Sequence, residues 1–82
     1  GGGFISFQTT ETTALPLFAL SHAVLRGDGG KVISLEFQKH RVVIEGHQLG
    51  ELFSHVLAGR VRLIRSGRHA ECAVDRIQAI SM

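Results

Sequence analysis

Residues 31–46 read KVISLEFQKHRVVIEG, and the pairing of this stretch with itself decides the fold. Apolar side chains sit at Val32, Ile33, Leu35 and Phe37 on one run and at Val42, Val43 and Ile44 on the next. Side chains alternate faces along a strand with period 2. With Lys39-His40 as a two-residue loop, Phe37 faces Val42, Leu35 faces Ile44 and Ile33 faces Gly46. Glu36 then faces Val43, and Ser34 faces Glu45. One side of this hairpin carries Ile33, Leu35, Phe37, Val42 and Ile44, and the other carries Ser34, Glu36 and Glu45. A slip of one residue would mix the two sets. Lys-His lacks the Gly or Asn that a tight primed turn prefers, so a longer loop in the same register is the alternative.

The next segment has a different period. Across residues 47–59 the apolar positions are Leu49, Leu52, Phe53, Val56 and Leu57, spaced as a single helical stripe. Glu51 suits the positive end of the helix dipole, and Gly59 suits a left-handed cap. An apolar ridge beside an apolar hairpin face predicts a helix packed on a sheet.

Farther out, residues 61–65 read as a strand, Ser66-Gly67-Arg68 as a turn, and residues 72–80 as a last strand with an irregular start. Ile64 interrupts the alternation of its strand, which marks a bulge or an apolar contact with another subunit. Phe4-Ile5-Ser6-Phe7 is strand-like. Residues 15–26 allow two readings. As a strand, the segment pairs with residues 31–37 across Gly27-Asp28-Gly29-Gly30. As a helix over about 14–26, capped by Thr13 with Pro16 in its first turn, it gives the ferredoxin-like order β-α-β-β-α-β. The spacing of Leu17, Leu20 and Val24 echoes that of Val74, Ile77 and Ile80, which favours the strand. The expected fold is therefore α+β: an antiparallel sheet of about five strands with one amphipathic helix over about 47–59, in the order β-β-β-β-α-β-β. Gly1-Gly2-Gly3 reads as an appendage outside the fold, and residues 4–82 as one globular domain.

Composition narrows the function classes. A chain of 82 residues makes one domain, and so small a domain buries only about 60% of its unfolded surface. Disulfides, a metal or a partner often make up the margin. Cys72 is the sole cysteine, so no internal bridge is available, and a reducing, cytoplasmic setting is expected. The net charge of +2 does not by itself point to nucleic acid or a membrane surface. No apolar run is long enough to cross a bilayer as a helix.

Each chemical motif is outweighed by a plainer reading. The five histidines are His22, His40, His47, His55 and His69. His47 and His55 lie two helical turns apart, too far to share an ion, and His69 with Cys72 supplies only half of a structural zinc site. Cys72 and His69 are also the only adjacent nucleophile–base couple, but Ala73 and Val74 beside the cysteine favour a buried thiol. Glu36 and Glu45 share an exposed face near Glu51, where carboxylates titrate normally. Arg26-Gly27-Asp28 spells an adhesion tripeptide, but a turn explains it, and the glycines lack the Lys-Ser/Thr of a phosphate loop. No catalytic, cofactor-binding or metal site is expected.

Two binding readings remain. Residues 52–70 contain no acidic residue but hold Arg60, Arg62, Arg65 and Arg68, which could track phosphates in a nucleic-acid-binding module. Alternation should point Arg62 and Arg65 to opposite faces unless Ile64 bulges. The leading expectation is a non-enzymatic, self-associating interaction domain, a homodimer, because Phe4, Phe7 and Ile64 form an apolar surplus that needs covering.

Overall fold

The computed structural model describes residues 3–68 and 72–81. Its strands are β1 (Phe4–Gln8), β2 (Thr12–Pro16), β3 (His22–Arg26), β4 (Val32–Glu36), β5 (His40–His47), β6 (Leu63–Arg65), β7 (Gly67–Arg68) and β8 (Ala73–Ser81). The helix α1 spans Gly50–Leu57 between β5 and β6, and one 3-10 turn, Leu17–Ala19, separates β2 from β3. The strands form two sheets, a three-stranded one in the order β2-β1-β6 and a five-stranded one in the order β3-β4-β5-β8-β7.

The small α+β class, its largely antiparallel pairing and its one helix agree with the sequence. The single sheet and the order β-β-β-β-α-β-β do not, because five strands precede the helix. The extra one is β2. Thr12 and Thr13 favour extended backbone, and Pro16 (φ −72°, ψ 132°) continues it into the 3-10 turn. With β2 and β3 occupying residues 12–16 and 22–26, the ferredoxin-like alternative with a helix over 14–26 is overturned. One pairing is parallel: α1 carries the chain from the large sheet to the small one, where β6 runs alongside β1 in the same direction.

The central hairpin forms with the expected faces and a different register. Leu35 faces Val42 and Ile33 faces Ile44, two residues away from the sequence-based pairing. The backbones of Phe37 and His40 bond each other, so the loop is Gln38-Lys39 rather than Lys39-His40. Neither loop residue has positive φ, so the hairpin closes without the Gly or Asn of a primed turn. A two-residue shift leaves every side chain on its own face, and Ile33, Leu35, Phe37, Val42 and Ile44 are all buried. Before this hairpin, residues 27–30 turn β3 into β4: Gly30 donates to the Gly27 carbonyl at 3.0 Å and Lys31 to that of Arg26 at 2.8 Å. The Arg-Gly-Asp tripeptide lies in this turn.

The helix is shorter than its stripe. β5 holds its pairing with β8 as far as His47, and Gln48, at φ 57°, then swings the chain into α1. No side chain caps the helix. The Leu49 N–H instead donates to the Gly30 carbonyl at 2.9 Å, tying the helix start to the β3–β4 turn. That approach requires glycine at residue 30: φ is +81°, and a Cβ there would stand 2.7 Å from the Gly50 nitrogen. The helix ends as the sequence indicates, with Gly59 at φ 72°, Arg60 N–H on the His55 carbonyl (2.9 Å) and Gly59 N–H on that of Val56 (3.1 Å). Leu49 and Val56 are buried, Leu52 and Phe53 pack partly, and Leu57 is exposed.

The inner sides of the two sheets enclose one core. Ile5, Phe7, Leu15 and Ile64 of the small sheet join Ile33, Leu35, Val42, Ile44 and Val74 of the large one, with Phe37, Leu49 and Val56. Phe7 and Phe37 meet edge to face, their ring centres 6.2 Å apart. Full burial of such a side chain contributes about 1.5–3 kcal/mol. Ser66-Gly67-Arg68 is not a plain turn, because Gly67 and Arg68 pair with Val74 and Ala73 as the short edge strand β7. The last strand has its irregularity at Asp75, a bulge between the pairs Glu45–Arg76 and Gly46–Val74. Gly46 faces the Ala73 carbonyl there with no room for a side chain.

Candidate functional site

The two sheets present very different outward sides. On the large sheet, direct pairing lines up His22 with Glu36, Glu36 with Arg41, and Glu45 with Arg76. The Arg41 guanidinium donates to Glu36 at 2.7 Å, Arg76 stands 4.0 Å from Glu45, and His47 lies 3.3 Å from Asp75. The bulge permits the last contact by placing Asp75 on the outward side next to Arg76. The hydrogen bond from Arg41 holds the Glu36 carboxyl below its usual range, and the charges of Arg41 and His22 reinforce it against partial desolvation. A carboxylate held ionised in this way cannot supply a proton near neutral pH. Glu45 shares the face, and Glu51 stands in the first turn of α1.

The small sheet's outward side is nearly uncharged. Since Ile5, Phe7 and Leu15 point into the core, Phe4, Ser6 and Gln8 of β1 point outward, with Thr12, Ala14 and Pro16 opposite them on β2. On β6, Leu63 and Arg65 point outward and Ile64 inward. Phe4 is 59% exposed and Leu63 49%. Of the three sequence-based interface residues, Phe7 and Ile64 therefore pack within the chain, and Phe4 alone remains at the surface. Ile64 breaks no alternation. The strand begins at Leu63, and the outward apolar residue is its neighbour. Sequence reasoning missed Ala14, Pro16 and Leu63. The alternation of Thr13 and Leu15 against Ala14 was the available signal for β2.

The arginines do not form one row. Arg60 follows the helix cap, Arg62 precedes β6 and runs beside Gly3, Arg65 lies on β6, and Arg68 lies on β7 of the other sheet. All four are exposed.

Cys72 is half-buried against the core, and desolvation pushes its thiol above the ordinary value, away from the thiolate that nucleophilic chemistry needs. His69, its proposed partner, lies outside the described residues. His22, His47 and His55 are exposed and His40 is half-buried, and among the described residues no three His, Cys, Asp or Glu side chains are grouped to hold a metal. A shallow polar hollow at the start of α1 is lined by Gly29, Gln48, Gly50, Glu51 and Ser54. Among the described residues no helix is long and apolar enough to cross a membrane. No protein family, curated protein or solved structure matches the chain.

Proposed function

We propose that the chain is a non-enzymatic protein-interaction domain that self-associates through its small sheet. The observation that carries this reading is the contrast between the two outward sides. One sheet sets three ion pairs among the outward Val24, Val32, Val43 and Ile80, whereas the other presents Phe4, Ala14, Leu63 and the half-buried Pro16, with Arg65 as its one charge. Exposed apolar groups on adjacent strands gain free energy when covered. The raised thiol of Cys72 and the ion pair of Glu36 support a binding role over a catalytic one. The lone cysteine supports a reducing, cytoplasmic setting.

Sedimentation across a micromolar dilution series, with amide shifts followed at each concentration, tests the proposal. The expected result is a mass that rises with concentration, with shift changes concentrated in β1, β2 and β6. A monomer at every concentration, or changes confined to β3 and β4, would overturn it.

A second reading is favoured by the acid-free run over residues 52–70, in which Arg60, Arg62, Arg65 and Arg68 would track the phosphates of a nucleic acid. It calls for binding of a labelled oligonucleotide that weakens steeply with salt and is lost in the Arg62→Glu, Arg65→Glu variant. No binding at low salt ends it.

A further inference from the structure

We infer that the self-association proposed above, on which this inference rests, is a two-fold antiparallel pairing of β2 with β2 of a second copy, Ala14 opposite Ala14. The hydrogen-bond phase of the small sheet is set by its neighbours. The Leu17 N–H donates to the Gly3 carbonyl at 2.9 Å, and the Ser6 N–H points the other way, to the Arg62 carbonyl at 2.8 Å. Backbone groups alternate direction along a strand. Residues 13, 15 and 17 therefore bond β1, while Thr12, Ala14 and Pro16 direct theirs out of the free edge of the sheet.

Among the terminal strands of the two sheets in the described residues, this edge is the least protected; β8 also runs past β7, but that stretch opens with the charged Asp75 and Arg76. Proteins shield free edges with charge, brevity or proline. β3 begins at His22 and ends at Arg26, β6 is three residues long and ends in Arg65, and β7 has two residues and ends in Arg68. β2 has five residues, TTALP, with no charge. Its proline stands last, and its missing N–H falls on the outward side.

The register follows from that proline. With Ala14 on the two-fold axis, the two Ala14 residues exchange N–H and carbonyl bonds, and each Thr12 N–H donates to the partner's Pro16 carbonyl. The strands overlap over their whole length, and the absent donor leaves only the Thr12 carbonyl to water. Moving the axis toward Pro16 sets proline against Ala14 and loses donors at the centre. The alanine side chain is small enough for the copies to close. Neither the face nor the edge of so small a sheet reaches the roughly 800 Å² per partner of a standard interface, so area does not separate the two. The edge adds backbone hydrogen bonds that a face lacks, and it makes one continuous sheet of the two.

The test uses the full chain. The parent is sedimented over a dilution series, Ala14→Cys and Thr12→Cys are each made with Cys72→Ser and oxidised, and Ala14→Pro is sedimented with its circular dichroism recorded. Expected are a concentration-dependent dimer of the parent, a disulfide-linked dimer from Ala14→Cys and none from Thr12→Cys, whose copies lie too far apart to bridge. Ala14→Pro should keep the fold, since proline is tolerated at an outward edge position, and should abolish the dimer. A monomeric parent defeats self-association and this inference together. A dimeric parent that Ala14→Cys fails to cross-link, or that persists in Ala14→Pro, overturns the edge pairing and leaves self-association standing.

Discussion

Arg41 and Glu36 face each other directly across β5 and β4, and the guanidinium of one reaches the carboxylate of the other at 2.7 Å. The pair lowers the Glu36 pKa from its ordinary 4.5. A depressed carboxylate stabilises the fold above its unfolded pKa, and that contribution is lost as pH falls through the folded value. Arg41→Ala should raise the Glu36 pKa and slightly flatten this acid limb, with an equally small loss of stability near neutral pH, because the pair is solvent-screened. A carboxyl titration by NMR, with urea melts at several pH values, checks both parts.

Leu49 is fully buried where the helix begins. Leu49→Ala should cost about 2–5 kcal/mol, and Val56→Asp should prevent folding by burying an unpaired charge. Urea unfolding followed by circular dichroism reads both. A Leu49→Ala protein as stable as the parent would mean that α1 does not seat on the sheets.

The glycines separate sharply. Gly30→Ala and Gly46→Ala should each lose about 1–3 kcal/mol or more, the first from its φ of +81° and the crowding of the Gly50 nitrogen, the second from collision with the Ala73 carbonyl. Gly50→Ala meets nothing within 4 Å and should gain up to about 1 kcal/mol. Thermal melts of the three variants rank them.

Two phenylalanines give the matching contrast. Phe7→Ala should cost about 3–5 kcal/mol. Phe18, 82% exposed on its 3-10 turn, should tolerate serine with almost no change. Equal effects on the melting temperature would contradict the placement of β1.

Cys72 should react slowly with a thiol reagent at neutral pH and faster as pH rises or urea is added, because desolvation holds it as the thiol. Rapid reaction in the folded protein would reopen the catalytic reading.

The parts legible in the sequence were those in which one residue pattern fixes one face. Period-2 alternation placed Ile33, Leu35, Phe37, Val42 and Ile44 inside even though the register was two residues off, because an even shift leaves faces unchanged. The stripe from Leu49 to Val56 and the cap at Gly59 were equally plain. The second sheet was not. β2 carries Thr, Ala and Pro, whose extended state is settled by pairing with β1, and such partners across a sheet leave no local mark. Ile64 was misassigned for the same reason: its inward direction is decided by Phe7, far away in the chain. The surface set accordingly keeps Phe4, loses Phe7 and Ile64, and gains Leu63 and the edge at Ala14.

The parallel contact of Phe7 with Ile64 also orders the route by which the chain folds. β1 with β2, and β3 with β4 and β5, are joined by short connections and can zip locally, whereas the pairing of β1 with β6 must wait for residues more than fifty positions away. Closing so large a loop exacts its entropy before the contact returns anything, and domains rich in such pairings fold in about milliseconds to seconds rather than microseconds. Until β6 arrives, the edge of β1 opposite β2 stays unpaired. An unpaired edge of that kind is the template on which half-folded chains tend to add one another's strands.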